Sequence, residues 1–347
     1  MHLAGTGDSP SGITLDPRMN SMLSPAHYAR RLFFLNAGCA GDAEGGGADV
    51  AYVRRLLNLL AAMRMGFKLL LYAFDRSYGE DGKPDPGRTE FYVPDAYARE
   101  LAHDHPRYFE WVASIHPYRA DCAEALAQAK KGGARAVKWL PASMGIDPGS
   151  PLCDRFYEAA ARLQIPIVSH AGEERAVIGA DVQAYGNPLR LRRALDAGVR
   201  VIVAHCASMG QDVDLDKGSN GPYVDSFSLF ARLFEMEKYK NHLFGDISAL
   251  TQIKRAGPCL AKVIERTDWH PRLLNGSDYP LPGIMPLFSV EYLVSLGLLQ
   301  ESMKPLLLEI REYNPLLFDF VVKRHLRSNG KALSNNIFET RRFFEAA

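Results

Sequence analysis

Three short apolar runs in this chain each end on a side chain that can hold a metal ion. Ile165-Pro166-Ile167-Val168-Ser169 delivers His170, Val199-Arg200-Val201-Ile202-Val203-Ala204 delivers His205, and Arg272-Leu273-Leu274-Asn275-Gly276-Ser277 delivers Asp278. Two imidazoles and a carboxylate suit a borderline divalent ion, zinc first and manganese second, with an open position for water that the ion acidifies into a nucleophile. Either histidine alone is equally well a buried, hydrogen-bonded core residue. Three such residues in the same place on three runs are harder to explain that way. Lys138, inside Arg135-Ala136-Val137-Lys138-Trp139-Leu140, has three readings. It can be carboxylated and bridge two metals, form a Schiff base with a carbonyl substrate, or lay its stem along apolar groups as an ordinary surface lysine. His116, after Ser114-Ile115, ends another run and is a candidate pocket wall.

Two motif-like strings carry less. His103-Asp104-His105 has the H-x-H form, yet it lies between a helix (97–102) and a strand starting at 109, which puts it on the opposite face. Asp212, Asp214 and Asp216 before Gly218 have the outline of a calcium loop, but the glycine is one place late and the twelfth position is Tyr223 instead of glutamate. That stretch is expected to be a mobile loop. Gly172-Glu173-Glu174-Arg175, just past His170, is expected to begin a solvated loop.

The elements that must position these residues repeat as helix, glycine, strand. Val50, Val53, Leu56, Leu57 and Leu60 recur at helical spacing before Gly66 and the apolar run 67–74; helix 120–131 precedes Gly132-Gly133, and helix 188–197 precedes Gly198. Glycine suits the left-handed position past a helix, and near-continuous apolar strands suit a parallel sheet covered on both faces. Strands are predicted near 67–74, 109–115, 134–140, 165–170, 199–205, 242–248 and 272–278. Seven βα units point to a (β/α)8 TIM barrel whose first strand is largely missing, with extra helices at the C-terminal end. The alternative, an open doubly wound sheet, lacks its G-x-G-x-x-G or G-x-x-x-x-G-K-[ST] signature, and Gly38 to Gly47 reads as a flexible loop. In a barrel, the C-terminal strand ends share one mouth, so His170, His205, Asp278 and Lys138 would meet there.

Composition narrows the partner. With 347 residues, 47% of them hydrophobic, the chain can form one large domain over 1–347, and its net charge of +1 offers no field for nucleic acid or an anionic membrane. A small molecule is the expected substrate, and a homodimer is compatible. Five scattered cysteines without C-x-x-C spacing fit a reducing compartment, and the absence of a leader-like or membrane-spanning run fits a cytoplasmic protein.

At these residues the chain resembles the amidohydrolase-related metal-dependent hydrolases, the branch that also contains decarboxylases similar to aminocarboxymuconate-semialdehyde decarboxylase. The resemblance runs through His105-Pro106-Arg107-Tyr108-Phe109, Ser114-Ile115-His116-Pro117, Val137-Lys138, Ser169-His170-Ala171-Gly172, Ala204-His205-Cys206 and Gly276-Ser277-Asp278-Tyr279-Pro280, and ends at Asn314-Pro315-Leu316-Leu317-Phe318. It implies a (β/α)8 barrel whose metal is held by an H-x-H pair on the first strand, a histidine on the fifth and an aspartate on the eighth. His170 and Asp278 take the last two places. His205 takes the sixth-strand position that binds a second metal or touches substrate, and Lys138 the fourth-strand position that is carboxylated in binuclear members. Met1-His2-Leu3 matches the end of the H-x-H motif, with His2 as its second histidine and the first absent; the expectation is a reading frame that starts upstream.

The implied activity is hydrolysis of a small-molecule amide, ester or lactone. Asp278 would take the proton of a metal-activated water and His205 would orient the substrate carbonyl. Non-oxidative decarboxylation of an unsaturated or aromatic acid, a Schiff-base lyase on Lys138, and a degenerate barrel kept for binding are the rival expectations.

Overall fold

A computed structural model describes residues 1–7, 9–40, 47–174 and 182–345. Seven parallel strands follow one another: β1 (Leu69–Tyr72), β2 (Phe109–Val112), β3 (Val137–Trp139), β4 (Ile167–His170), β5 (Val201–Ala204), β6 (Leu243–Asp246) and β7 (Leu273–Leu274). Every one lies within its predicted run. Strands β3 to β7 form a single sheet in chain order, β1 pairs β2, and a parallel bridge between Ala113 and Val137 joins the two sheets. Residues 1–3 lie parallel to β1, with the Tyr72 amide donating to the Met1 carbonyl and the Leu3 amide to the Tyr72 carbonyl. Three residues therefore occupy the first-strand position of a TIM barrel.

Side chains alternate across each strand, and the barrel uses the alternation to separate two layers. Leu70, Val112, Ala136, Val168, Ile202, Phe244 and Leu274 fill the interior. Two residues further along the same faces come Tyr72 after Leu70, Lys138 after Ala136, His170 after Val168 and Asp246 after Phe244, each beside a residue of the next strand: Lys138 pairs with Val168, His170 with Ala204, and Asp246 with Leu274. The apolar layer is thus the floor of the polar one. From below, the interior is closed by Phe343 and Phe344, the former edge-on to Phe244 with ring centroids 4.6 Å apart.

Outward-facing strand residues pack against the helices. Trp139 lies fully buried against Phe156 and Tyr157 of the helix Asp154–Leu163, at centroid separations of 4.8 and 5.9 Å. The glycine punctuation is present, with Gly133 and Gly198 at φ +84° and +81° after their helices. Asn314 caps the helix Pro315–His325 by accepting from the amides of Leu316 and Leu317, and its own amide donates to Leu59 O at 2.9 Å.

One expected loop is ordered structure. Residues 211–213 and 223–225 form an antiparallel hairpin, and its aspartates are consumed internally: Asp212 accepts from the Ser226 hydroxyl, while Asp214 pairs with Arg232 and Asp216 with Arg192. That replaces the expected loop with a hairpin and agrees with discounting the calcium outline. His103 and His105 sit at the end of the helix Asp95–Asp104, on the far side from the strand ends, as expected. Of the glycine-rich segment, residues 41–46 lie outside the described residues. No described helix is long and apolar enough to cross a membrane.

Candidate active site

A cavity of about 400 Å³ opens at the C-terminal ends of the strands. His2, Lys138, His170, His205 and Asp278 all line it, together with Glu174, expected in a solvated loop, and Arg255, which the sequence had not singled out. His116 does not belong to it. Its Nε2 lies 3.0 Å from the Met144 carbonyl and its Nδ1 accepts from the Tyr118 amide, so it is a satisfied core histidine, and burial drives its pKa down to about 3.

His205 is held by a clamp built on Asp246, at the end of β6. Asp246 Oδ1 accepts from the His205 amide at 3.0 Å, the Ser248 amide at 2.9 Å and the Ser248 hydroxyl. Around this carboxylate the chain from His205 to Ala207 adopts φ between +50° and +56°, unfavourable for residues with a Cβ and costing on the order of 1–3 kcal/mol each. Asp278 is likewise at φ +55°. Strained backbone thus sits at both residues expected to do chemistry. His205 Nδ1 lies 3.0 Å from the Ser248 carbonyl and 2.8 Å from its hydroxyl, which assigns the ring proton to Nδ1. Its Nε2 lone pair then faces Asp278 Oδ2 across 3.8 Å.

Glycine is required around this arrangement. A Cβ on Gly276 would come within 3.1 Å of Ser248 Cβ, the residue that orients His205, and one on Gly172, at φ +81°, would meet the Met209 carbonyl at 2.4 Å. The Gly276-Ser277-Asp278 and His170-Ala171-Gly172 spacings therefore have a packing basis.

Burial sets the protonation states. It drives both His170 and His205 to about 3 and His2 well below its ordinary value, so all three rings are neutral near pH 7. Burial lowers the Lys138 ammonium, against the pull of Asp246, Asp278 and Glu174, and raises the Asp278 carboxyl, against the pull of Lys138. Lys138 is only 3% exposed, which removes the surface-lysine reading.

The donor set fits a divalent metal in kind. Neutral imidazoles are the ligating form, and two acceptors facing one another in a buried cavity need a cation or a shared proton between them. Their 3.8 Å separation is close to the ligand-to-ligand distance of about 3.3 Å in a tetrahedral zinc site. Yet no three His, Cys, Asp or Glu side chains among the described residues close on one point. His170 is turned aside, with Nδ1 at 3.4 Å from Glu174 Oε2 and Nε2 at 3.3 Å from the Glu173 carbonyl. Glu174 is 6% exposed, so the expectation of a solvated loop there fails; Arg175 lies outside the described residues.

A parallel barrel with its polar layer at the C-terminal mouth defines a TIM-barrel protein of the kind that places a site there. A family profile described as Amidohydrolase matches residues 83–283, and the chain belongs to the amidohydrolase family. Members of this family are mostly enzymes, hydrolases and decarboxylases among them, and typically bind divalent metals. Among solved structures, the chain is similar to an uncharacterized TIM-barrel protein from Bordetella bronchiseptica, at 18% identity and TM-score 0.48, over 87% of this chain and 94% of that one. It is also similar to a 5-carboxyvanillate decarboxylase from Novosphingobium aromaticivorans complexed with manganese, at 10% identity and TM-score 0.46, over 95% and 93%. A probable 2-pyrone-4,6-dicarboxylic acid hydrolase from Acinetobacter baumannii matches at 14% identity and TM-score 0.43, over 82% and 91%. No curated protein matches the chain.

Proposed function

We propose that this protein is a metal-dependent hydrolase of a small-molecule amide, ester or lactone. The observation that carries the reading is the pair of buried acceptors, His205 Nε2 and Asp278 Oδ2, facing each other at 3.8 Å in the cavity at the strand ends. His170, His205 and Asp278 would hold the ion, zinc or manganese, with His2 and Lys138 beside them. When bound, the ion supplies Lewis acidity that polarises a carbonyl and lowers the pKa of water.

The remaining chemistry belongs to the chain. Asp278, whose carboxyl burial raises, is basic enough to accept the proton of an attacking water and to pass it to the leaving group. His205, fixed through Nδ1 by Ser248, presents Nε2 in one orientation and can set the position of the substrate carbonyl. Lys138, buried and with its ammonium destabilised, supports the opening charge state of the site; its lowered pKa equally serves carboxylation of the amine.

The test is turnover of an amide, ester and lactone panel by the wild type and Asp278→Asn, before and after chelation and readdition of zinc or manganese. Activity is expected to vanish in the Asp278→Asn protein and to follow the metal in wild type; an undiminished Asp278→Asn enzyme overturns the reading. A second reading rests on the same buried lysine: a Schiff-base lyase. Borohydride trapping with a carbonyl substrate would then label Lys138, whereas the hydrolase leaves it unmodified. Carbon dioxide release from an acid panel would assign the site to decarboxylation instead.

A further inference from the structure

We propose that Asp49 is a positioning residue, which holds the segment at the first-strand position and the wall that follows it, and so sets where the His2 ring stands in the cavity. The inference rests on reading the cavity at the strand ends as catalytic, and it adds a residue outside the cavity on which one wall depends. Residues 1–3 pair with β1 on one side, and among the described residues no ladder joins them to β7 on the other. A strand so short, with one edge open, is held weakly by pairing alone. His2, Leu3, Ala4, Gly5 and Thr6 nevertheless form a continuous stretch of the cavity wall.

The helix Gly47–Ala61 supplies the rest of the hold from one face. Asp49 and Tyr52, three residues apart and so neighbours on that face, are 0% and 1% exposed. The Tyr52 hydroxyl donates to the His2 carbonyl at 3.0 Å. Asp49 Oδ1 accepts from the amides of Thr6 at 2.6 Å and Gly7 at 3.3 Å, and Oδ2 accepts from the hydroxyls of Ser9 at 2.8 Å and Ser11. None of the four donors is charged, and among the described residues Asp49 forms no ion pair. A buried carboxylate without bonds is costly, so it depends on this loop as the loop depends on it. Asp246 holds His205 by the same means, with two amides and a hydroxyl on one carboxylate.

The wrap is close enough to dictate residue types on both sides of it. A Cβ on Gly5 would stand 2.2 Å from Asp49 Oδ1 and 2.8 Å from Ile13 Cδ1, so glycine is needed there and a longer side chain at 49 has no room. Held through its backbone in this way, the His2 ring lies nearly perpendicular to Tyr72, with centroids 5.5 Å apart, and 6.5 Å from the Phe74 ring. Those two rings give His2 a spectroscopic signature of its place, because their ring currents displace its proton resonances.

Carbon–proton correlation spectra of the metal-free full chain, with the His2 signals identified by their loss in His2→Asn, read that place directly. In Asp49→Ala the signals should move to those of free histidine. Zinc affinity, measured by competition with a chromophoric chelator, should fall about tenfold or more in Asp49→Ala and change by less than about twofold when the same substitution is made on a His2→Ala background. Asp49→Asn keeps an acceptor for both amides and should fall between wild type and the alanine variant in both measurements. Unmoved His2 signals in Asp49→Ala overturn the proposal. So, where wild type binds zinc, does an affinity that Asp49→Ala leaves unchanged, or a loss of the same size with and without His2, which would make Asp49 a support of the fold at large. If the alanine variant does not fold, an Asp49→Asn chain that matches wild type in both measurements overturns it. A wild type that takes up no zinc refutes the metal-dependent hydrolase while the His2 spectra still decide this proposal; unmoved His2 signals in a chain that binds zinc do the reverse.

Discussion

Replacing Lys323 by methionine should destabilise the fold by about 3 kcal/mol at pH 7, with a cost that grows as the pH rises. Lys323 and Asp319, one turn apart on the helix Pro315–His325, are 1% and 2% exposed, and the ammonium donates to Asp319 Oδ2 at 2.7 Å and to the Gly276 carbonyl at 2.6 Å. That second bond grips the chain two residues before Asp278. Burial lifts Asp319 to about 6 against the pull of Lys323. In the variant the stranded carboxylate escapes by protonation, which at pH 7 costs only about 1.4 kcal/mol, one pH unit above its folded value. The charge-assisted bond lost to Gly276 adds about 1.5–3 kcal/mol. The sum lies at the lower end of the 3–5 kcal/mol typical of a broken buried pair. A carboxyl raised in the folded state favours folding below its unfolded pKa and loses that contribution as pH climbs through the folded one. Wild type therefore levels off above pH 6, whereas the methionine variant keeps falling. The penalty should shrink to about 2 kcal/mol at pH 5 and reach about 4 kcal/mol at pH 8. Urea unfolding followed by circular dichroism at the three pH values measures this, and the Asp319→Leu/Lys323→Met double variant should recover most of the stability and lose the pH dependence. A cost under about 1 kcal/mol, or one independent of pH, refutes the role assigned to the pair.

Other expectations concern the barrel's two ends. His170 and His205 have folded values near 3, below their unfolded ones, so their neutral burial contributes stability above about pH 6.5 that is lost as the pH falls towards 3. Metal-free wild type at pH 5 should have lost about 2 kcal/mol per histidine relative to His170→Asn or His205→Asn, read from urea midpoints at pH 7 and 5; equal shifts in wild type and variants would contradict neutral burial. Phe344→Ala removes the plug under the interior cluster and should cost about 3 kcal/mol, seen as a lowered denaturation midpoint, with an unchanged midpoint counting against the plug. Ser248→Ala leaves His205 Nδ1 its carbonyl partner and Asp246 its two backbone amides but removes the hydroxyl between them; turnover should fall about tenfold without loss of fold, and an unaffected rate would show that this hydroxyl does not position His205.

Much of the barrel could be read from the chain because its strands are short, largely apolar runs, and those at 69–72, 137–139 and 201–204 follow a glycine that ends the preceding helical stretch. His170, His205 and Asp278 were visible because each ends an apolar run, and Lys138 because it is a charged residue inside one. Asp246 carries the identical signal at the end of Leu243-Phe244-Gly245 and could have been found by it. Glu174 and Arg255 could not, because each lies on a connecting segment whose path brings it back over the mouth, and nothing local encodes that path. His116 misled because a histidine at a strand end looks the same whether its ring turns towards the mouth or, as here, towards the Met144 carbonyl. The hairpin at 211–225 was hidden for a related reason: its aspartates find arginines 18 and 24 positions away in sequence.

Metal content measured together with turnover tests the central claim most directly. After loading with zinc or manganese and removal of excess, elemental analysis should find about one ion per wild-type chain and far less in a His170→Ala/Asp278→Asn double variant, with hydrolysis of the amide, ester and lactone panel rising and falling with the bound ion. A wild-type protein that retains almost no metal and yet hydrolyses the panel at full rate in chelator would contradict it.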